Sequence, residues 1–203
     1  MKQDEMNTRG RIIDTAKTLF AEKGFYGVSV RDITGAAGVN TSMVSYYFGG
    51  KDGLYEAIFE REFMPFLNFL LQGEALEEME PREKIVFLVE KVVGMHTQHP
   101  ELAKLLHHEI FTPTRMYSEK ILRGITLLAD SFRSAFLEGI EKGMFRSDLE
   151  TFEMSYALAS MVNYQFIFPD LISSIMKNLE VSRIRTGSLI SILFEGIQVT
   201  RKT

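Results

Sequence analysis

Between residues 41 and 51 the chain presents Thr41, Ser42, Ser45, Tyr46, Tyr47 and Lys51. These are three short hydroxyls, two phenols and an ammonium. No base stands beside any hydroxyl to make it a nucleophile, so the chemistry on offer is hydrogen bonding and charge. Short hydroxyls keep a helix close to whatever surface it meets. The edges of base pairs in a major groove are such a surface, and the Thr41 methyl complements a thymine methyl. Phenols and an ammonium suit phosphate oxygens. At the start of a helix a lysine adds to free N–H groups that already attract anions. Taken singly, each residue has another use: Ser and Thr cap helices, tyrosines fill cores or surfaces, and a lone lysine is solvated. Their neighbours decide between these uses.

The elements that must position these residues are helices. Ile12, Ile13, Ala16, Leu19 and Phe20 fall on one helical face, and Gly24 stops that helix. Ser29 can cap a short second helix with Val30, Ile33 and Ala37 inward. Small Ala36 and Ala37 permit close approach. Gly38 supplies the positive φ of a tight turn, and Val39 plugs it. Asn40 or Thr41 caps a third helix that runs to about Phe48, with Val44 facing back. Two short helices meeting at such a turn make a helix-turn-helix, whose second helix enters the major groove. Gly49-Gly50 breaks the chain, and Lys51-Asp52 opens a long fourth helix.

Helical spacing continues to the end of the chain. Pro81 suits the first turn of a helix to about His99, and Pro100 starts another to Ile110. Thr112-Pro113-Thr114 is a break. A long helix runs from Ile121 to near Gly143. Asp148 is expected to cap the next, Pro169-Asp170 to interrupt it, and a last helix carries Leu189, Ile192, Leu193, Gly196 and Ile197. The fold class expected is all-α: a three-helix DNA-binding domain over 1–52, joined by the fourth helix to a larger helical domain over 53–203.

Composition narrows the function classes. The 203 residues are 45% hydrophobic, enough for a sizeable core. Net charge is −4, with seven Lys/Arg against six Asp/Glu over residues 1–55. That asymmetry has the sign expected of a DNA-binding end but is small, so charge alone does not argue for nucleic acid. The absence of cysteine removes a disulfide framework, a thiol nucleophile and a cysteine-ligated metal. No apolar run is long enough for a membrane span, and the polar start carries no signal core. A cytoplasmic protein with no membrane role is expected. No phosphate loop, hydrolase elbow or paired acid–base carboxylates occur, so no enzyme and no cofactor are expected.

The stretch from about Thr8 to Phe59 resembles the TetR family of bacterial repressors. The likeness rests on Ile12-Ile13-Asp14-Thr15-Ala16, Gly24-Phe25, Ser29-Val30-Arg31-Asp32-Ile33, Ala36-Ala37-Gly38-Val39, and Tyr46-Tyr47-Phe48 followed by Lys51-Asp52-Gly53-Leu54. It implies DNA contact by Thr41, Ser42, Ser45, Tyr46, Tyr47 and Lys51. Further contacts are implied at Arg31, Ser29 and the start of the first helix, Thr8 and Arg9. Many members carry an aromatic where Ser45 stands, so here a hydroxyl replaces that ring. The resemblance also implies a homodimer on a palindromic operator, released by a small effector.

Beyond Phe59 the sequence supports this only through residue types. Phe66, Phe69, Phe111 and Met161 suit an adaptable apolar pocket, or simply a core, with His96, His107 and Tyr164 as polar anchors. His107 and His108 point about 100° apart on a helix and cannot chelate together. His96 and His99 could, yet no metal site is expected. His96 or a neighbouring histidine is expected to anchor an effector beside Glu109, Asn163 or Tyr164. For the dimer, Met154, Leu158 and Met161 on one helix, with Ile190, Phe194 and Ile197 on the last, are the candidate face. The expected function is a ligand-released repressor; the alternative is a DNA-binding regulator governed by a protein partner with no small-molecule site.

Overall fold

Glycines mark the points where the N-terminal helices must end. The computed structural model of the protein describes residues 2–71, 74–115, 120–182 and 184–197, and their side chains except at 2–5, 69–71 and 74–75. Helix α1 (Lys2–Lys23) stops at Gly24, whose φ is +70°. Helix α2 (Val30–Ala37) stops at Gly38, and α3 (Ser42–Phe48) at Gly49, with φ of +64° and +73°. An L side chain resists that backbone conformation, so glycine ends each helix cheaply. Helix α4 (Lys51–Leu71) follows. The rest comprises α5 (Glu74–Glu77), α6 (Pro81–Gln98), α7 (Pro100–Phe111), α8 (Leu122–Glu141), α9 (Thr151–Ile167), α10 (Pro169–Asn178) and α11 (Thr186–Ile197). Among the described residues there is no strand, as the periodicity requires.

The chain forms two compact units, residues 1–69 with 98–124, and 70–97 with 125–203. In the first, α1 packs on α2 and α7. Ile12, Ile13, Ala16 and Phe20 are buried, as their spacing predicts. Phe20, Phe25, Tyr55 and Phe59 form an aromatic cluster of stacked, tilted and edge-on pairs with centroids 4.8 to 5.7 Å apart. Around it, Lys17 pairs with Glu62 and Glu101, and Arg61 with Asp14. Buried Glu109 accepts a hydrogen bond from the Tyr55 hydroxyl at 2.8 Å and two from Thr114, N–H and hydroxyl, at 3.0 Å. A buried carboxylate survives only with such donors.

In the second unit, Leu88, Phe136, Phe145, Leu158 and Phe194 are almost fully buried. Gly139 admits the Phe145 ring, which a Cβ there would overlap. Arg146 closes the end of α11: its N–H donates to the Ile197 carbonyl at 2.7 Å and its guanidinium to that of Gly196 at 3.2 Å.

Four expectations fail locally. Helix α1 begins at Lys2, so Thr8 and Arg9 lie well inside it rather than at its start. Of the two small residues at the turn only Ala37 is buried; Ala36 is exposed. Asp148 does not cap α9, because Arg146 holds its carboxylate at 2.6 Å; Glu150 precedes the helix without a side-chain cap. Pro169-Asp170 does not merely interrupt. Proline there occupies the first position of α10, where its missing N–H costs nothing.

Candidate nucleic-acid interface

Helix α2 is built to stop and turn. Ser29 and Asp32 form a capping box: the Asp32 N–H donates to the Ser29 hydroxyl at 3.2 Å, and the Ser29 N–H to the Asp32 carboxylate at 2.8 Å. The Ser29 hydroxyl also donates to that carboxylate. These bonds hold the Asp32 carboxyl below its ordinary pKa, the hydroxyl contributing most. At the other end the Gly38 N–H donates to the Gly35 carbonyl and the Val39 N–H to that of Thr34, at 3.3 and 3.0 Å. This paired closure aims the chain directly into α3.

On α3 only Val44 is buried, with no exposure at all. That pins one side of the helix to the module and turns the others outward. Thr41, Ser42, Ser45 and Tyr46 are exposed, Tyr46 at 73%. Tyr47 is half-buried; its ring meets Tyr46 and Phe48 edge-on, at 5.0 and 6.1 Å. The structure therefore brings the hydroxyl and phenol candidates together on α3 and at the residue that precedes it, Thr41. Arg31 is exposed on α2. Arg9 is exposed on α1 with its guanidinium 5.3 Å from the Phe48 ring centre, while Thr8 is half-buried. Arg9, Tyr47, Phe48, Glu56, Glu60 and Arg61 line an open groove of about 490 Å³ beside the end of α3.

Lys51 stands at the first position of α4, as expected, but does not project freely. Its ammonium lies 4.1 Å from the Phe25 ring centre and 6.0 Å from that of Phe20. Partial burial pushes its pKa below the ordinary lysine value, opposed by the nearby Asp52 carboxylate. Residue spacing cannot reveal this contact, because Phe25 is 26 positions away and meets Lys51 only in the fold. Asn40 was also missed as more than a cap. Its carboxamide oxygen accepts from both the N–H and the hydroxyl of Ser42, at 2.9 and 2.8 Å. The local pattern Asn-x-Ser at a helix start could have suggested it.

The expected effector residues fall in both units. Phe66 and His107 are half-buried and Phe111 is exposed in the first; His96 is buried, Met161 half-buried and Tyr164 exposed in the second. The Phe69 side chain lies outside the described residues. His96 bonds Asn163 at 2.8 Å and stacks on Phe166, with ring centres 4.3 Å apart and planes nearly parallel. Burial lowers its pKa, so the ring is held neutral. His99 is exposed ahead of α7. Among the described residues no three His, Asp or Glu side chains converge as a metal site would require.

Of the expected dimer residues, Met154, Leu158, Ile190, Phe194 and Ile197 are buried inside the protomer, where α9 packs on α11, and Met161 is half-buried. The outward faces of these helices carry other residues. Phe152, Tyr156, Tyr164 and Phe168 recur on α9 and just beyond its end at multiples of four residues, 40 to 67% exposed, and Ile192 on α11 is 62% exposed. Alternation between faces was legible in the spacing; which face turns inward was not.

Comparison with known proteins supports the same fold and module. Residues 12–58 match the family described as bacterial regulatory proteins, tetR family, and residues 81–182 match the tetracyclin repressor-like C-terminal domain. A probable HTH-type transcriptional regulator of Bacillus subtilis, YttP, is 27% identical over 177 residues, which are 85% of this chain and 83% of that protein. The HTH-type transcriptional repressor NicS of Pseudomonas putida is 28% identical over 152 residues, 72% of this chain and 70% of its own. A solved SmeT–triclosan complex shares the fold with a TM-score of 0.68, covering 96% of this chain and 93% of that one at 18% identity.

Proposed function

The chain belongs to the TetR family of bacterial regulatory proteins and is a DNA-binding transcriptional regulator rather than an enzyme, and on that premise we propose that it is a cytoplasmic repressor, acting as a homodimer on a palindromic operator and released by a small, largely apolar effector. The observation that carries this reading is α3: one buried valine and an outward face of hydroxyls and phenols. Residues 1–52 act as the reading module and 53–203 as the regulatory part. Thr41, Ser42 and Ser45 read base edges, and Tyr46, Tyr47 and Lys51 hold phosphates, with Arg9 and Arg31 as further cations near the backbone. Thr8 and Ser29 are weaker contacts, Ser29 because its hydroxyl already serves Asp32.

The dimer forms through the outward faces of α9 and α11, above all the aromatic series Phe152, Tyr156 and Tyr164, and Ile192. An exposed apolar stripe of this length on a soluble surface is what a two-fold partner would cover. Two reading helices would then stand about 34–36 Å apart, one turn of duplex. Among the expected effector residues, those of the second unit, His96, Met161 and Tyr164, are the ones the effector engages. A buried neutral imidazole with an amide partner suits an uncharged polar group on an otherwise apolar molecule. NicS is named a repressor and SmeT is solved with triclosan; both facts support the reading by analogy. An effector acts only through its differential affinity for the two states. The test is enrichment of duplexes from a randomised library by the full chain, followed by a screen of apolar compounds for release. Palindromic enrichment and release by at least one compound are expected. Enrichment of single half-sites, or binding compounds that never change operator affinity, would contradict it.

A further inference from the structure

Resting on the reading of α3 as a base-reading helix, we propose that Ser42 is a specificity determinant with a fixed polarity: it acts as an acceptor only, and so selects a base with an exocyclic amino group in the major groove, adenine or cytosine. Asn40 fixes the direction of these bonds. One atom of its carboxamide accepts the Ser42 backbone N–H at 2.9 Å. A backbone N–H can only donate, so that atom is the oxygen. The Ser42 hydroxyl lies 2.8 Å from the same oxygen. An amide oxygen can only accept, so the single hydroxyl proton of Ser42 is committed to Asn40. What Ser42 presents outward is its lone pairs.

The complement follows from the groove. Adenine N6 and cytosine N4 are the donors there; guanine O6 and N7 and thymine O4 are acceptors and would face lone pair with lone pair. Asn40 itself is changed by the same bonds. Its oxygen is occupied, so it cannot read an adenine with both amide groups as a free asparagine does. Thr41 leans the same way. The Thr34 hydroxyl donates to the Val30 carbonyl at 2.9 Å, so across the longer 3.5 Å separation from Thr41 it can only accept.

The experiment selects duplexes from a randomised library with the full-length protein, beside Ser42→Ala, Asn40→Ala and Asn40→Asp. The position at which Ser42→Ala loses its preference identifies the base Ser42 reads. Every base pair carries one exocyclic amino group in the major groove, on its adenine or its cytosine, so the partner of Ser42 is identified by removing that group rather than by the identity of the pair. Asn40→Asp keeps an acceptor beside Ser42; it should retain the preference while binding every duplex more weakly through its added charge. Asn40→Ala frees the hydroxyl proton to donate as well, so loss of the amino group should cost this variant less than it costs the parent. In the selected duplex, an analogue lacking that exocyclic amino group should weaken the parent about 3- to 10-fold and leave Ser42→Ala unchanged. This last arm uses the native protein and does not depend on how the Asn40 variants fold. No position altered in Ser42→Ala, or an amino-deleted analogue that costs the parent nothing, would each overturn the proposal. If no duplex is enriched at all, the DNA-reading role of α3 falls; an enriched duplex whose amino-deleted analogue binds the parent equally well overturns only the polarity of Ser42.

Discussion

Lys51 shows how a single contact changes what a residue must do. Its ammonium lies 4.1 Å from the Phe25 ring centre, so on the proposed reading it must exchange that ring for a phosphate when DNA binds. Lys51→Met keeps the stem and removes the charge. It should weaken specific and non-specific duplexes alike and reduce the salt dependence of binding by about one unit of slope, as a lost phosphate contact does. An unchanged slope would mean that Lys51 stays on Phe25 in the complex. Tyr55 offers a second test at this scale. Tyr55→Phe keeps the ring in the aromatic cluster but removes a donor from buried Glu109. The cost should be about 1–3 kcal/mol of stability, read from a denaturant midpoint at unchanged slope.

Among the elements, the turn between α2 and α3 depends most on one residue. A Cβ at Gly38 would meet nothing within 4 Å, yet its φ is +64°. Gly38→Ala should therefore cost about 1–2 kcal/mol through the backbone alone, measured by thermal unfolding. This turn was legible in the sequence because glycine ends, apolar spacing and small residues act locally. Val44, Ile33 and Phe20 turned inward as their spacing predicts. What local pattern could not supply was partnership across the fold. Asp148 looked like a cap until Arg146 took its carboxylate. The last helices alternate apolar faces, and the sequence pattern does not distinguish the face packed at home, with Leu158 and Phe194, from the face left outside, with Tyr156 and Ile192. Residue 40 was seen as a cap, but its second bond to the Ser42 hydroxyl, which sets polarity, is a matter of distances.

For the whole molecule, the net charge of −4 leaves DNA affinity to a few placed cations, so binding should be salt-sensitive and modest away from the specific site. The proposed dimer would rest on the exposed aromatic series of α9. Tyr156→Glu should shift sedimentation from dimer to monomer and leave the helical signal intact, since Tyr156 is 67% exposed. His96 links stability to pH. Burial lowers its pKa in the fold; below about pH 6.5 the unfolded chain takes up a proton that the folded ring resists. Stability should therefore be level above about pH 7 and fall towards pH 5, by at most about 1.4 kcal/mol per pH unit from this group. His96→Gln should remove that component.

The central claim is that the exposed hydroxyls of α3 carry sequence recognition. It is tested most directly by titrating the parent and the triple variant Thr41→Ala, Ser42→Ala, Ser45→Ala against the enriched duplex and a scrambled duplex, at one salt concentration. All three residues are exposed, so the variant should fold and keep its salt-dependent binding to scrambled DNA. The account predicts that the ratio of the two affinities collapses towards one. A ratio that survives the triple substitution would contradict it.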